Sequence, residues 1–253
     1  MSLKVTYIGH ATTLIEWENF RVLTDPVFSK RVLCFKRITP LKFKPSALPP
    51  LNAVLLSHAH YDHLDLFSFK YIPSDALVFV PEGMAKAVAP FINNTVIELS
   101  TWSRYSLGPK TEICAVPAKH LGGRLFCSLR YRCCHGYVIS HEGQNVYFAG
   151  DTSYDSHFED IRAAFPIHVG LLPAARTHHS WWQKKRHLSV KDLVQAWIDL
   201  GKPDFIPIHW GTFFKLFNDP RRIVEALQAE KKWNPEFKNK MHLIQSGDVM
   251  NFS

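Results

Sequence analysis

The stretch Ser57-His58-Ala59-His60-Tyr61-Asp62-His63-Leu64-Asp65 directly follows a predicted strand over residues 52–56 and has four ligand-type residues in six positions. Imidazole nitrogens and carboxylate oxygens are ligands that Zn²⁺ accepts. Residues i and i+2 of a turn can point the same way, so we expect His58 and His60 to share one metal ion. Asp62 and His63 come one step later and are expected to face an adjacent site.

Three further candidate ligands each follow a predicted strand. His120 comes after the strand over residues 112–116, Asp151 after 146–149 and His209 after 205–208. Sites are commonly assembled from loops at one edge of a sheet scaffold. The three side chains are therefore expected to join the histidine-rich turn, and a solvated polar loop explains them less well.

The apolar pattern of the whole chain predicts an α/β fold with two β-sheets flanked by helices. No linker, repeat or break in composition divides the chain, so we expect one domain over residues 1–253. The other predicted strands are 3–8, 12–17, 21–24, 77–80, 95–99, 137–140, 168–172 and 241–244. The predicted helices are 82–92, 156–165, 189–200 and 220–232.

Composition excludes several classes of protein. Hydrophobic residues make up 46% of the 253 residues and charged residues 21%, which excludes a disordered chain. The net charge of +8 favours anionic partners without choosing among them. We see no secretory signal and no apolar run long enough to cross a membrane. The five cysteines form no C-x-x-C pair, so neither a disulfide framework nor a cysteine zinc site is expected, and we predict a cytoplasmic protein.

The H-x-H-x-D-H stretch followed by separate His, Asp and His residues resembles the signature of the metallo-β-lactamase superfamily. The resemblance implies an αββα sandwich. It also implies two divalent metal ions, with Zn²⁺ the first choice and Mn²⁺ or Fe as alternatives. Carried over by position, His58, His60 and His120 would hold the first ion, Asp62, His63 and His209 the second, and Asp151 would bridge them.

Local motifs narrow the resemblance to the branch of N-acylphosphatidylethanolamine-hydrolysing phospholipase D and, more distantly, ascorbate-6-phosphate lactonase. They include Tyr7-Ile8-Gly9-His10-Ala11-Thr12 and Ile208-His209-Trp210-Gly211-Thr212-Phe213. His187 falls where the phospholipase has a histidine near its substrate. Ser189 replaces the acidic residue of that family, and residues 177–186 also differ from it.

Each residue near the predicted ligands has two alternative roles. Asp25 and Asp65 would orient metal-bound histidines or act as turn and cap residues. His10 would face the cleft or be a buried core histidine. His187 would contact substrate or be a surface residue beside a charged run. We assign Asp62, Asp151 and His187 to the catalytic group.

The basic and apolar residues over 30–44 are interleaved. This pattern would suit an anionic membrane surface, single-stranded nucleic acid, or a loop that covers a sheet edge with its lysines extended to solvent. The last reading is slightly favoured.

The first functional hypothesis is hydrolysis of a phosphodiester, such as an N-acylphosphatidylethanolamine-type phospholipid, by a hydroxide that bridges two metal ions. The alternatives are a lactonase acting on a phosphorylated sugar acid, a nuclease of the tRNA-processing type, and a metal-binding module without catalysis. We expect an anionic small-molecule or phospholipid partner, peripheral contact with an anionic membrane, and no stable nucleic-acid partner. The sequence does not determine the oligomeric state.

Overall fold

Fifteen described strands form two large sheets and one hairpin. The computed structural model describes residues 2–121, 133–176, 187–213 and 219–253. The first sheet contains β1 (Leu3–Gly9), β2 (Thr12–Glu16), β3 (Arg21–Thr24), β6 (Ala53–Leu55), β7 (Leu77–Pro81), β8 (Val96–Leu99) and β15 (Val249–Phe252). The second contains β9 (Arg104–Ser106), β10 (Thr111–Pro117), β11 (His135–His141), β12 (Gln144–Phe148), β13 (Val169–Pro173) and β14 (Asp204–Ile208). Strands β4 (Arg31–Val32) and β5 (Phe35–Lys36) pair as a separate hairpin.

The order of strands brings distant parts of the chain together. The first sheet runs β15-β1-β2-β3-β6-β7-β8 and the second runs β14-β13-β12-β11-β10-β9. Strands β3, β6, β7 and β8 are parallel neighbours, as are β12, β13 and β14. Parallel strands end at the same edge of a sheet, so the loops that follow them lie side by side.

The alternation of side chains along each strand builds three apolar layers. In β10, Ile113 and Ala115 pack between the two sheets, whereas Cys114 faces the outer helices. In β6, Ala53 packs between the sheets and Val54 faces the other way. Both faces of the central strands are covered, which is why these strands are nearly continuous hydrophobic runs.

Helices cover the outer face of each sheet. They are α1 (Ala85–Val88), α2 (His157–Ala164), α3 (Val190–Asp199), α4 (Pro220–Trp233) and α5 (Pro235–Lys240). Short 3₁₀ helices at Pro45–Ala47, Leu66–Tyr71 and Ala89–Phe91 complete the set. Helix α3 starts at a capping box between Ser189 and Asp192. The predicted αββα sandwich is confirmed.

Several local predictions were wrong. The helix predicted over 82–92 is only α1 plus a 3₁₀ turn, because Pro90 cannot extend an α-helix. Residues 241–244 contribute one isolated bridge, between Met241 and Phe205, and the terminal strand is β15 instead.

The cysteines depart from expectation at one position. Cys133 is disulfide-bonded, while Cys34, Cys114 and Cys134 are free thiols. The cysteine count therefore no longer argues for a reducing compartment. Among the described helices, none has the length and apolar character needed to cross a bilayer.

Candidate metal centre

Three histidines form a first cluster at the edge shared by the two sheets. His58 and His60 lie in the loop after β6, and His120 lies after β10. The Nδ1 atom of His60 is 3.0 Å from Nε2 of His58 and 3.2 Å from Nε2 of His120. Two ligands of a tetrahedral zinc ion, each about 2.0–2.1 Å from the metal, are about 3.3 Å apart. Both distances match the spacing of ligands to one ion, and the ligand atoms of all three histidines lie within 4.8 Å of one another.

A second cluster lies beside the first. Ligand atoms of His10, Asp62, His63 and His209 all lie within 4.8 Å of one another. His10 Nε2 is 3.2 Å from Asp62 Oδ2, and the His10 and His209 rings are 4.0 Å apart between centroids. The sequence left open whether His10 belongs to the site or to the core. The structure places it in this cluster, buried and directly against Asp62.

Asp151 lies between the two clusters. Its Oδ2 atom is 3.3 Å from Nε2 of His63 in the second cluster, and about 4 Å from the Nε2 atoms of His58 and His120 in the first. Its Oδ1 atom is 3.2 Å from Nε2 of His209. One carboxylate thus reaches nitrogens of both clusters, as the bridging assignment requires.

Hydrogen bonds on the outer side of the cluster favour one tautomer of its histidines. His63 Nδ1 donates to Asp25 at 2.6 Å, which leaves Nε2 unprotonated in the neutral ring. That Nε2 atom is buried and makes no hydrogen bond to the described residues, and the same holds for Asp151 Oδ1. A carboxylate facing this nitrogen requires positive charge between them, from a proton on Nε2 or from a metal ion. The donor set therefore fits divalent metal ions.

The charges of the cluster point the same way. Burial raises the pKa of Asp151, but His209, His63 and His187 outweigh it and hold that pKa well below its usual range. Burial, and then His63, His60 and His120, hold the pKa of His58 well below its usual value. Burial lowers the pKa of His63, but Asp151 and Asp25 outweigh it and hold that pKa well above its usual value; Asp151 likewise raises the pKa of His209 to about 9. The carboxylates therefore attract positive charge, which a metal ion would supply in place of those protons.

Strained turns at the strand ends direct these side chains inward. His10, Asp25 and His209 follow β1, β3 and β14, and have left-handed φ values of 60°, 30° and 61°. Such conformations cost about 1–3 kcal/mol in residues other than glycine and concentrate at functional sites. Gly150, just before Asp151, has φ of 58°, and a Cβ atom there would lie 2.5 Å from Cβ of Ser57. Glycine therefore allows the ends of β12 and β6 to meet.

Asp25 and Asp65 have different surroundings, although the sequence treated them alike. Asp25 is fully buried, and accepts hydrogen bonds from His63 and from the backbone N–H and hydroxyl of Ser57. Ser57 Oγ also lies 2.9 Å from His58 Nδ1, so this pair orients one histidine of each cluster. Asp65 instead accepts from the Ser68 hydroxyl and, at 3.2 Å, from the Ser29 amide.

His187 lies at the wall of a cleft that opens over both clusters. Its Nδ1 atom is 3.4 Å from Asp151 Oδ2, and its ring is 5.1 Å from that of His120. Burial is the main cause that holds the pKa of His187 well below its usual value, so the ring is neutral. Residues 177–186, which precede His187, lie outside the described residues.

The cleft has a volume of about 310 Å³ and includes residues that the sequence did not assign to the site. Val32, Leu33 and Ala175 give it apolar walls, and Arg176 supplies a cation. Arg176 lies three residues after the end of β13, so its place beyond a predicted strand was the available signal. Tyr61, inside the histidine-rich turn, also lines the cleft.

Comparison with known proteins agrees with this geometry. Residues 20–210 match a family described as "Beta-lactamase superfamily domain". The chain belongs to the metallo-β-lactamase superfamily of metal-dependent hydrolases. A structure of Igni18, a metallo hydrolase from Ignicoccus hospitalis, matches with a TM-score of 0.76 and 21% identity, covering 100% of this chain and 99% of that one. At this identity the match shows the fold.

Two curated relatives are similar in sequence. One is a mitochondrial N-acyl-phosphatidylethanolamine-hydrolyzing phospholipase D from Saccharomyces cerevisiae, 31% identical over 88% of this chain and 51% of its own length. The other is a UPF0173 metal-dependent hydrolase from Pyrococcus furiosus, 28% identical over 91% of this chain and 94% of its own. The chain thus spans about half the length of the yeast relative.

Proposed function

We propose that this protein hydrolyses a phosphodiester at a site that holds two divalent metal ions, with an N-acylphosphatidylethanolamine-type phospholipid as the substrate class. The observation that carries the proposal is the position of Asp151: both of its oxygens lie near nitrogens of the second cluster, and Oδ2 also lies about 4 Å from nitrogens of the first. When bound, paired divalent ions activate a water molecule and polarise the bond under attack.

The residues of the chain have separate tasks in this proposal. The first ion would be held by His58, His60 and His120 and the second by Asp62, His63 and His209, with Asp151 shared. Asp25 would fix the proton of His63 on Nδ1 and Ser57 that of His58 on Nδ1, so that the inward Nε2 atom of each ring can bind a metal ion. Both ligands are thereby held in the tautomer that can bind a metal.

The cleft wall supports an anionic substrate with an apolar part. The neutral ring of His187 would hydrogen-bond a phosphate oxygen from its position beside Asp151. Arg176 would bind a non-reacting phosphate oxygen, and Val32 and Leu33 would contact the apolar part. The activity in the name of the yeast relative supports a phospholipid, although the shared region is only half of that protein.

The test is a substrate panel on protein loaded separately with Zn²⁺, Mn²⁺ or Fe²⁺. Bis-p-nitrophenyl phosphate and an N-acylphosphatidylethanolamine should be hydrolysed, with activity lost to a chelator and restored by metal. Metal analysis of the same samples should give two ions per chain. Turnover of lactones without hydrolysis of any phosphodiester would contradict the proposal and favour a lactonase instead.

Arg176 provides a second test of substrate class. Arg176→Gln should raise KM for an anionic phosphodiester about tenfold or more, since a charge-assisted hydrogen bond contributes about 1.5–3 kcal/mol. Lys119→Gln is the matched control, because Lys119 pairs with Asp155 at 2.8 Å and does not line the cleft. An equal effect of both substitutions would remove Arg176 from substrate binding.

A further inference from the structure

A second concave surface lies next to the metal cleft. It has a volume of about 760 Å³ and is lined by five cationic side chains: Lys30, Arg31, Lys36, Arg37 and Lys44. We call it the basic groove. The hairpin of β4 and β5 contributes to both surfaces, since Arg31 and Lys36 line the groove while Val32 and Leu33 line the cleft.

Among the described residues that line the groove there is no carboxylate, although the charge of Asp65 acts on Arg37. Within the described ranges, Lys30, Arg31, Lys36 and Lys44 make no ion pair, whereas exposed lysines elsewhere, such as Lys4 and Lys202, pair with glutamates at 2.8 and 2.6 Å. Unpaired cations converging on one concavity repel one another, and an anion bound there would relieve that repulsion.

The floor of the groove is rigid. Arg37 donates from Nη2 to the carbonyl of Val27 at 2.6 Å and from Nε to that of Ser29 at 3.3 Å, and its guanidinium lies 4.8 Å from the centroid of Phe213. Burial lowers the pKa of Arg37 only to about 10, so it stays charged at neutral pH. Asp65 accepts from the amide of Ser29 and thereby braces the same turn.

Exposed apolar side chains accompany the cations. Leu33 at the hairpin tip is 63% exposed, and Phe35 and Tyr71 are each 37% exposed. Phe28 and Phe43 add aromatic walls to the groove. Exposed leucine and aromatic residues beside several unpaired cations suit the boundary between lipid headgroups and acyl chains. A small soluble phosphate would leave those apolar groups in water.

We propose that the basic groove binds the phosphate headgroup of an anionic phospholipid at a bilayer surface, with Leu33 entering the interface. Because Leu33 also lines the metal cleft, this docking places the mouth of the cleft against the lipid. The role as a docking site for lipid substrate rests on the proposed function, but the binding of anionic lipid does not.

The test is sedimentation with vesicles of phosphatidylcholine that contain increasing fractions of phosphatidylglycerol. The protein is first treated with a chelator, so that binding is measured without hydrolysis. Binding should rise with the anionic fraction and fall as salt is added, because the Debye length shortens from about 10 Å at 0.1 M to about 3 Å at 1 M.

The decisive variant replaces Lys30, Arg31, Lys36 and Lys44 with glutamine. It should lower vesicle partitioning about 100-fold or more, because each basic residue near an anionic surface contributes about 1 kcal/mol. The control replaces the exposed cations Lys86, Lys191, Arg222 and Lys238 with glutamine, which removes the same net charge elsewhere. It should reduce partitioning less than fivefold. Equal losses in both variants would mean that total charge, and not the groove, governs binding.

Two further measurements complete the test. Leu33→Ser should weaken vesicle binding with the charge unchanged; no effect would overturn insertion of the hairpin tip. Saturable binding of inorganic phosphate or of a single-stranded oligonucleotide, without vesicle binding, would overturn the choice of lipid. A protein that binds vesicles but hydrolyses no phosphodiester would support the groove and contradict the proposed function, and the reverse result would do the opposite.

Discussion

Replacing Asp25 with asparagine tests the orientation of the metal ligands without emptying the space that the side chain fills. Asp25 is fully buried and accepts three hydrogen bonds, from His63 Nδ1 at 2.6 Å, from Ser57 N at 2.7 Å and from Ser57 Oγ at 2.5 Å. An asparagine has one acceptor oxygen and one amide group that only donates. The amide nitrogen must therefore occupy the place of one of the two carboxylate oxygens, where it faces another hydrogen-bond donor.

Either orientation of the new amide carries a cost. With its nitrogen toward Ser57 N, a buried backbone N–H loses its acceptor, which costs about 1–3 kcal/mol. With its nitrogen toward His63, the ring must move its proton to Nε2, and that atom can no longer bind a metal. Loss of such an orienting group weakens metal affinity about 10–100-fold, or about 1.4–2.7 kcal/mol.

The assay is competition for Zn²⁺ or Mn²⁺ against a chelator of known affinity, followed to full occupancy. We expect the site of His63 to weaken more than the other, because Asp25 contacts His63 directly but reaches His58 only through Ser57, and makes no described hydrogen bond to His60 or His120. Asp65→Asn is the matched control, since its bonds go to Ser68 and Ser29. If the metal affinity of Asp25→Asn stayed within twofold of the wild type, Asp25 would not be the group that orients His63.

Three other outcomes follow from the structure. Asp151→Ala should lower the metal content from two ions toward one and abolish turnover; full content with a normal rate would exclude bridging. His187→Ala should keep the metal content and melting temperature while lowering kcat about 100-fold or more. A change in kcat of less than twofold would show that His187 takes no part in catalysis. Burial lowers the pKa of His135 to about 4, so its unfolded form binds more protons and stability falls as pH drops from 6.5 to 4. His135→Gln should reduce that slope by up to about 1.4 kcal/mol per pH unit in urea titrations, and an unchanged slope would show that His135 does not cause it.

The fold was predictable because its main signals are local. The strands at 3–8, 12–17 and 146–149 are short apolar runs bounded by turns, and the structure has strands at each place. The edge strands β9 and β15 were missed because their residues are mostly exposed and carry little apolar pattern. A strand that is held by pairing with a segment far away in the sequence need not carry a strand pattern in its own few residues.

The site was predictable only as far as residue types and strand ends allow. His58, His60 and His63 are close in sequence, and strand ends indicated the other candidate ligands. Which aspartate meets which histidine depends on contacts between remote segments, such as Asp25 with His63 across 38 positions. Arg176 and the apolar residues of the cleft wall belong to loops and a short hairpin, whose positions cannot be predicted from sequence periodicity.

The pairing of β15 with β1 has a consequence for synthesis on the ribosome. Strand β1 joins β2 on one side and β15 on the other, so its second edge stays open until residues 249–252 have emerged. An open strand edge in a nascent chain is a template for mispairing with other chains. The set of candidate metal ligands is also incomplete until His209, the last of them in the sequence, has been synthesised. Stalled or shortened chains should therefore aggregate before they can bind metal.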